Sequence, residues 1–173
     1  MTRPTAGVPY PKWPHMTPEQ PHAPENQSGS NALKDTLRHI FDSQILNYGD
    51  YNLVFAMNER HETKDPSGGR VSKPKYFVIG YRWHPAELMV APVNVQTLTG
   101  GGVPVEINMT NLSHAVQLGG GDYEVGTSTG KTFRFGVQAQ AAFSPVPGET
   151  LRMDQRDDYP DFQSFMRAFV AMA

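Results

Sequence analysis

The segment with the most suggestive chemistry is Gly126-Thr127-Ser128-Thr129-Gly130-Lys131-Thr132. A phosphate-binding loop places four residues between its glycines and then opens a helix, whose N-terminal amides hold the phosphate. Here three residues separate Gly126 from Gly130, and the sequence that follows alternates as a strand. The pattern therefore predicts a turn between two strands, and it predicts no nucleotide or other cofactor.

The six histidines could bind a metal only if the fold brought distant positions together. No pair of them has the i, i+4 spacing of a helical site or the alternate spacing of a strand site. Asp154, Asp157, Asp158 and Asp161 cluster before a predicted helix, where acidic side chains favour the positive end of the helix dipole. The sequence thus predicts no metal site and no set of catalytic residues.

Basic residues concentrate between the first two predicted strands, where Arg70, Lys73 and Lys75 occur close together. Such a cluster is either a solvated loop or a contact for an anionic group of a partner. The positive charge of this cluster is partly offset by three nearby acidic residues, Glu59, Glu62 and Asp65. Their presence argues against an acidic membrane lipid as the partner.

The overall composition excludes several classes of protein. The chain has 173 residues, no cysteine and a formal net charge of −2, with a pI near 6.3. Without cysteine there is no disulfide, thiolate ligand or cysteine nucleophile. The charge balance gives no electrostatic attraction to nucleic acid, and the first residues lack the apolar stretch of a secretory signal. We expect a cytoplasmic protein that binds no nucleic acid.

The N-terminal 30 residues contain seven of the fifteen prolines and few aliphatic residues. A stretch of this composition buries too little apolar surface to offset the entropy that it loses on ordering. We therefore predict a disordered or extended tail over residues 1–30 and a single globular domain over residues 31–173. Tyr10 and Trp13, which prolines flank, could instead dock in a groove of this chain or of a partner.

Periodic apolar residues predict a helix at each end of the domain. Ser30 or Asn31 can cap a first helix over residues 32–46, whose apolar stripe is Leu33, Leu37, Ile40, Phe41 and Ile45. Residues 138–157 are predicted to be a long connection. A second helix follows Asp158-Tyr159-Pro160, and its stripe is Phe162, Phe165, Met166, Phe169 and Val170.

Seven short runs of β-branched and aromatic residues predict strands between the helices. They are separated by turn signals and comprise Tyr51–Met57, Tyr76–Arg82, Leu88–Val93, Val103–Ile107, Ala115–Leu118, Tyr123–Thr127 and Thr132–Val137. In the sixth run, Tyr123 and Val125 alternate onto one face. In the seventh run, Phe133, Phe135 and Val137 alternate onto another face. This pattern predicts a hairpin with one buried face, within an antiparallel barrel or sandwich.

This order of elements resembles the pleckstrin-homology-like domains of bacteria over roughly residues 50–172. The passage from Val105 to Val116 looks like their apolar strand, polar step and second strand, and the passage from Glu124 to Phe135 looks like the next hairpin. Residues 159–172 resemble their capping helix. The resemblance implies a seven-stranded antiparallel barrel closed by a C-terminal helix. In lipid-binding members, basic residues lie between the first two strands, where this chain has its basic cluster.

The resemblance also implies a scaffold for binding, because members of this family mostly bind ligands, which are often proteins. We predict a non-enzymatic binding or assembly module with a protein partner, which could also form a homo-oligomer. A second hypothesis is a dimeric α/β protein like the small bacterial secretion chaperones, and a third is an enzyme with dispersed catalytic residues. A concave site where polar groups converge would favour the enzyme, whereas an exposed apolar or basic patch would favour the binding module.

Overall fold

The computed structural model of the chain describes residues 25–45, 50–58, 62–64, 66–72 and 74–173. The predicted docking residues Tyr10 and Trp13 lie outside these ranges, as does the predicted contact residue Lys73. Within these ranges, no helix is long and apolar enough to cross a membrane.

Two helices flank a series of strands in the described part of the chain. In chain order the elements are α1 (Glu25–Gln44), β1 (Asn52–Asn58), β2 (Glu62–Lys64), β3 (Arg70–Ser72), β4 (Lys75–Arg82), β5 (Glu87–Asn94), β6 (Thr99–Gly100), β7 (Val105–Asn108), β8 (Leu112–Gln117), β9 (Asp122–Thr127), β10 (Thr132–Val137), β11 (Gln140–Phe143), β12 (Leu151–Asp154) and α2 (Tyr159–Ala171). The prediction of a mainly antiparallel β fold with a helix at each end is confirmed.

The seven predicted strands correspond to β1, β4, β5, β7, β8, β9 and β10, which belong to one eight-stranded antiparallel sheet. Its order is β6-β5-β4-β1-β10-β9-β8, and β7 pairs with β5 beside β6. Strands β1, β4 and β5 carry continuous buried runs rather than alternating ones. Such runs indicate that both faces of the sheet are covered.

Helix α2 covers one face of the sheet, as its predicted apolar stripe requires. Phe162, Phe165, Met166 and Phe169 are buried, and they pack against sheet residues such as Ile79, Leu88, Val125 and Phe135. Asp161, predicted to favour the helix dipole, also accepts a hydrogen bond of 2.7 Å from the Tyr81 hydroxyl. The helix is therefore fixed to the sheet by apolar burial and by partly exposed hydrogen bonds to Asp161.

Helix α1 and the β11–β12 hairpin cover the opposite face. The buried α1 residues are Leu33, Leu37, Ile40 and Phe41, and they share a core with Phe55, Val78, Met89, Phe143 and Met153. Gly80 allows the closest approach, because a Cβ there would lie 2.4 Å from Cζ of Phe41. The predicted α1 stripe is confirmed for these four residues, whereas Ile45 follows the end of the helix and is only partly buried.

The beginning of α1 differs from the prediction. The helix begins at Glu25, so residues 25–30 are helical although we assigned them to the tail. Ser30, expected to cap the helix, is instead buried within it, and its Oγ accepts a hydrogen bond of 2.9 Å from the Asp154 amide. A serine hydroxyl can satisfy a helix end or a distant strand, and the local sequence does not distinguish the two.

Three further predictions need correction. The basic connection contains the β2–β3 hairpin, and residues 138–157 contain the β11–β12 hairpin. In the β9–β10 hairpin, Tyr123 lies opposite Phe135 and Val125 lies opposite Phe133. These side chains therefore share one face of the sheet rather than two, because directly paired residues point to the same side.

Candidate functional site

A cavity of about 270 Å³ lies between α1, the first half of β1 and the segment that leads into α2. Its apolar lining residues are Leu37, Leu53, Val54, Phe55, Val78 and Met153. Its polar lining residues are Lys34, Asp35, Arg38, Asn52, Gln155 and Asp158. We call this feature the α1 cavity. The lining is therefore divided evenly between apolar and polar residues, and small-ligand sites also combine apolar walls with polar groups that orient the ligand.

The α1 cavity exists because β10 runs beside only part of β1. The two strands pair at Ala56 and Met57, and their pairing does not extend to the beginning of β1. Gln155 occupies the next position of the ladder. Its side-chain Oε1 accepts a hydrogen bond of 2.6 Å from the Phe55 amide, and its Nε2 donates to the Phe55 and Gln138 carbonyls at 3.0 Å. A buried side-chain amide thus replaces a peptide group of a neighbouring strand.

One strand edge remains open next to Gln155. The backbone groups of alternate residues in a strand point to the same side, so the N–H and C=O of Leu53 face the same side as those of Phe55. In the described part of the chain, no strand pairs with β1 on that side at Leu53. The wall of the α1 cavity therefore offers a backbone donor and a backbone acceptor to a ligand.

The rim of the α1 cavity carries both signs of charge. Lys34 Nζ lies 3.4 Å from Asp158 Oδ2, and both side chains are partly exposed. Arg38 lies one helical turn after Lys34, and Asp35 directly follows Lys34. Both Arg38 and Asp35 are exposed, and neither forms a hydrogen bond or ion pair with another described residue. Among the described residues, the rim thus offers one unpaired cation, Arg38, and one unpaired anion, Asp35.

Two residues of the predicted anion contact belong to described strands. Arg70 lies in β3, and Lys75 is the exposed first residue of β4. Lys75 is not among the residues that line the α1 cavity. Their role as a contact for an anionic partner stays a prediction, as does that of Lys73.

A second polar cluster surrounds a buried carboxylate at one end of the sheet. Glu87 accepts a hydrogen bond from the Tyr51 hydroxyl, and its Oε2 lies 2.8 Å from Arg82 Nη2. Its side chain is only 4% exposed. Burial raises the pKa of Glu87 to about 7, and the carboxyl of Glu106 acts in the same direction. Because Arg82, Glu87 and Asn108 are register neighbours on β4, β5 and β7, this cluster joins three strands.

A third polar cluster lies on the exposed side of β8, β9 and β10. Ser113 Oγ lies 3.1 Å from His114 Nδ1, and His114 Nε2 lies 3.2 Å from Glu124 Oε1. Arg134 pairs with Glu124 and holds the pKa of that carboxyl below its usual range. The imidazole rests on Gly126, where a Cβ would lie 2.0 Å from Cε1 of the ring. The order Ser, His, Glu is that of a nucleophile, a base and a group that orients the base.

The described residues contain no group of three or more histidine, aspartate or glutamate side chains that could hold a metal ion. Comparison of the chain with protein-family models, with curated proteins and with solved structures finds no match.

Sequence reasoning assigned Leu37 to the apolar stripe of α1, the lining residues of β1 and β4 to strands and Asp158 to the helix dipole, and it did not predict a site among them. Lys34, Asp35 and Arg38 are ordinary for the solvated side of an amphipathic helix. Gln155 lies in a segment that was predicted to be a connection. The available signal was the single apolar stripe of α1, which required a covering partner but did not identify it.

Proposed function

We propose that this chain is a non-enzymatic binding module and that the α1 cavity receives the apolar part of its ligand. The observation that carries the proposal is the composition of this cavity. Six apolar residues form its walls, whereas its polar groups are charges, amides and a strand edge. Groups of this kind orient a ligand by hydrogen bonds and charge pairs.

The size of the cavity limits the ligand. A volume of about 270 Å³ lies just below the roughly 300–1,000 Å³ that pockets for drug-sized molecules occupy. The α1 cavity therefore suits one large side chain or a small molecule with one aromatic ring system, up to the size of indole. The protein partner that the pleckstrin-homology-like resemblance implies would have to place one side chain there.

Indole provides a direct test, because it is an uncharged aromatic ring that carries one hydrogen-bond donor. We expect saturation-transfer NMR to detect millimolar binding of indole to the wild type. Leu53→Trp should remove that signal by filling the cavity from its partly exposed wall. Asn52→Phe, at an exposed lining position, should block the mouth and have the same effect.

Val103→Trp is the matched control, because Val103 is 78% exposed and lies outside the α1 cavity. Circular dichroism must show that each variant is folded. The proposal fails if indole does not bind to the wild type, or if the two blocking variants bind it as well as the control does.

A hydrolase is the second candidate function, and the cluster of Ser113, His114 and Glu124 is the observation that favours it. In that function, Ser113 Oγ would attack an ester carbonyl and pass its proton to His114 Nδ1, while Glu124 orients the ring. The ester C–O bond would then break, the alcohol would leave with the proton from His114, and water would hydrolyse the acyl-serine. We rank it second because the His114 side chain is 41% exposed on an open face of the sheet. A burst of p-nitrophenol from p-nitrophenyl acetate that Ser113→Ala abolishes would support the hydrolase, and equal rates for both proteins would exclude it.

A further inference from the structure

The charges at the α1 cavity point to a particular class of ligand. We propose that the ligand is a free α-amino acid with a large apolar side chain, bound as its zwitterion. This inference rests on the proposed binding function of the cavity and adds the chemistry of the ligand to it.

The first argument is the pairing of charges around the rim. Lys34 and Asp158 lie within ion-pair distance of each other and so largely neutralise one another. Arg38 and Asp35 have no partner among the described residues, and they lie three positions apart on α1. Residues at this spacing are neighbours on a helix surface. The unpaired groups therefore present one positive and one negative charge close together, which complements a zwitterion better than a ligand with a single charge.

The second argument is the open backbone edge at Leu53. An α-carboxylate accepts hydrogen bonds, and an α-ammonium group donates them. The Leu53 N–H can donate to the carboxylate, and the Leu53 C=O can accept from the ammonium group. An amino acid would thereby pair with β1 as one residue of an added strand does, beside the position where Gln155 replaces β10.

The third argument is the separation of apolar and polar lining. The lining residues Leu37, Val78 and Met153 are buried in the core that α1 covers, whereas Asp35 and Arg38 are exposed. A ligand that satisfies both regions has an apolar group at one end and its charges at the other. Phenylalanine, leucine and methionine have this form.

Three forms of phenylalanine test the proposal by isothermal titration calorimetry. L-phenylalanine carries both charges, N-acetyl-L-phenylalanine lacks the ammonium group, and L-phenylalaninamide lacks the carboxylate. We expect each blocked form to bind about 3- to 10-fold more weakly, because each loses one partly exposed charge-assisted hydrogen-bond pair.

Variants of the rim assign each end of the ligand. Arg38→Gln should weaken the binding of L-phenylalanine by the same factor and leave the binding of L-phenylalaninamide unchanged, because the amide has no carboxylate to pair with Arg38. Asp35→Asn should weaken the binding of L-phenylalanine and leave the binding of the N-acetyl form unchanged. Asp42→Asn is the matched control, since Asp42 is exposed two turns further along α1.

Each remaining outcome overturns the zwitterion proposal in an identifiable way. If all three forms bind equally, or if indole binds and none of them does, the charges are irrelevant although the cavity function stands. If only the N-acetyl form binds, the cavity takes the C-terminus of a protein chain, and if only the amide binds, it takes an N-terminus. If neither phenylalanine nor indole binds, the proposed function itself fails.

Discussion

Truncation of Phe165 tests whether α2 is an integral part of the core. The Phe165 side chain is 1% exposed. Its ring centroid lies 5.0 Å from that of Tyr81, 5.5 Å from that of Trp83 and 5.4 Å from that of Phe169. Replacing a buried phenylalanine by alanine costs about 3–5 kcal/mol, because the free energy of burying the apolar ring is lost and a cavity remains. We expect Phe165→Ala to lie in the upper part of this range, since aromatic pairs add to simple burial.

Urea and thermal unfolding measure this loss. For a domain of this size, 3–5 kcal/mol corresponds to a fall in Tm of roughly 6–20 °C. Ser164→Ala is the control, because Ser164 is the exposed neighbour of Phe165 on α2 and should change stability by less than about 0.5 kcal/mol. If Phe165→Ala unfolds within 1 °C of the wild type, α2 does not pack on the sheet as described.

Three further substitutions test other parts of the fold and the predicted surface. In the folded protein the pKa of Glu87 is raised to about 7. The folded state therefore keeps a proton that the unfolded chain has lost, and the wild type should lose up to about 3 kcal/mol of stability as the pH rises from the ordinary glutamate pKa to 7. In urea titrations, Glu87→Gln should remove this pH dependence. Gln155→Leu should cost about 2–4 kcal/mol in urea unfolding, because it leaves the Phe55 amide and carbonyl without their partner. Joint replacement of Arg70, Lys73 and Lys75 by alanine should leave the Tm unchanged. We expect neither the wild type nor this variant to bind acidic lipid vesicles.

Controls and contrary outcomes follow from the same contacts. Glu149→Gln, at an exposed carboxylate, should leave the pH dependence intact, and an unchanged slope in Glu87→Gln would show that another group causes it. A Gln155→Leu variant as stable as the wild type would mean that its amide does not replace a strand. Salt-sensitive vesicle binding that the triple replacement removes would place lipid recognition in the basic segment.

The parts of the fold that local periodicity determines could be predicted from the sequence. The stripe from Phe162 to Phe169 identifies α2 and its buried face, because apolar residues at helical spacing require a partner surface. The seven main strands were likewise apparent from their β-branched and aromatic runs. The β11–β12 hairpin was missed because alanines at 141 and 142 and charges at 152 and 154 give little β signal.

The candidate site could not be predicted, because it depends on contacts between distant parts of the chain. The α1 cavity opens where β10 leaves β1, and this divergence is a property of strand register rather than of any local pattern. Gln155 bonds to Phe55, which lies 100 residues earlier in the sequence. Ser30 likewise bonds to Asp154 across the fold. The pleckstrin-homology-like resemblance and the protein partner that it implies stay predictions.

The most direct test of the binding proposal is a crystal structure of the chain soaked with 4-iodo-L-phenylalanine, because anomalous scattering locates the iodine independently of any model. The account predicts one iodine peak between α1 and β1, in contact with the apolar walls that Leu37 and Val78 provide. It also predicts the carboxylate of the ligand beside Arg38. An iodine peak at another surface, with none in the α1 cavity, would contradict the proposed function.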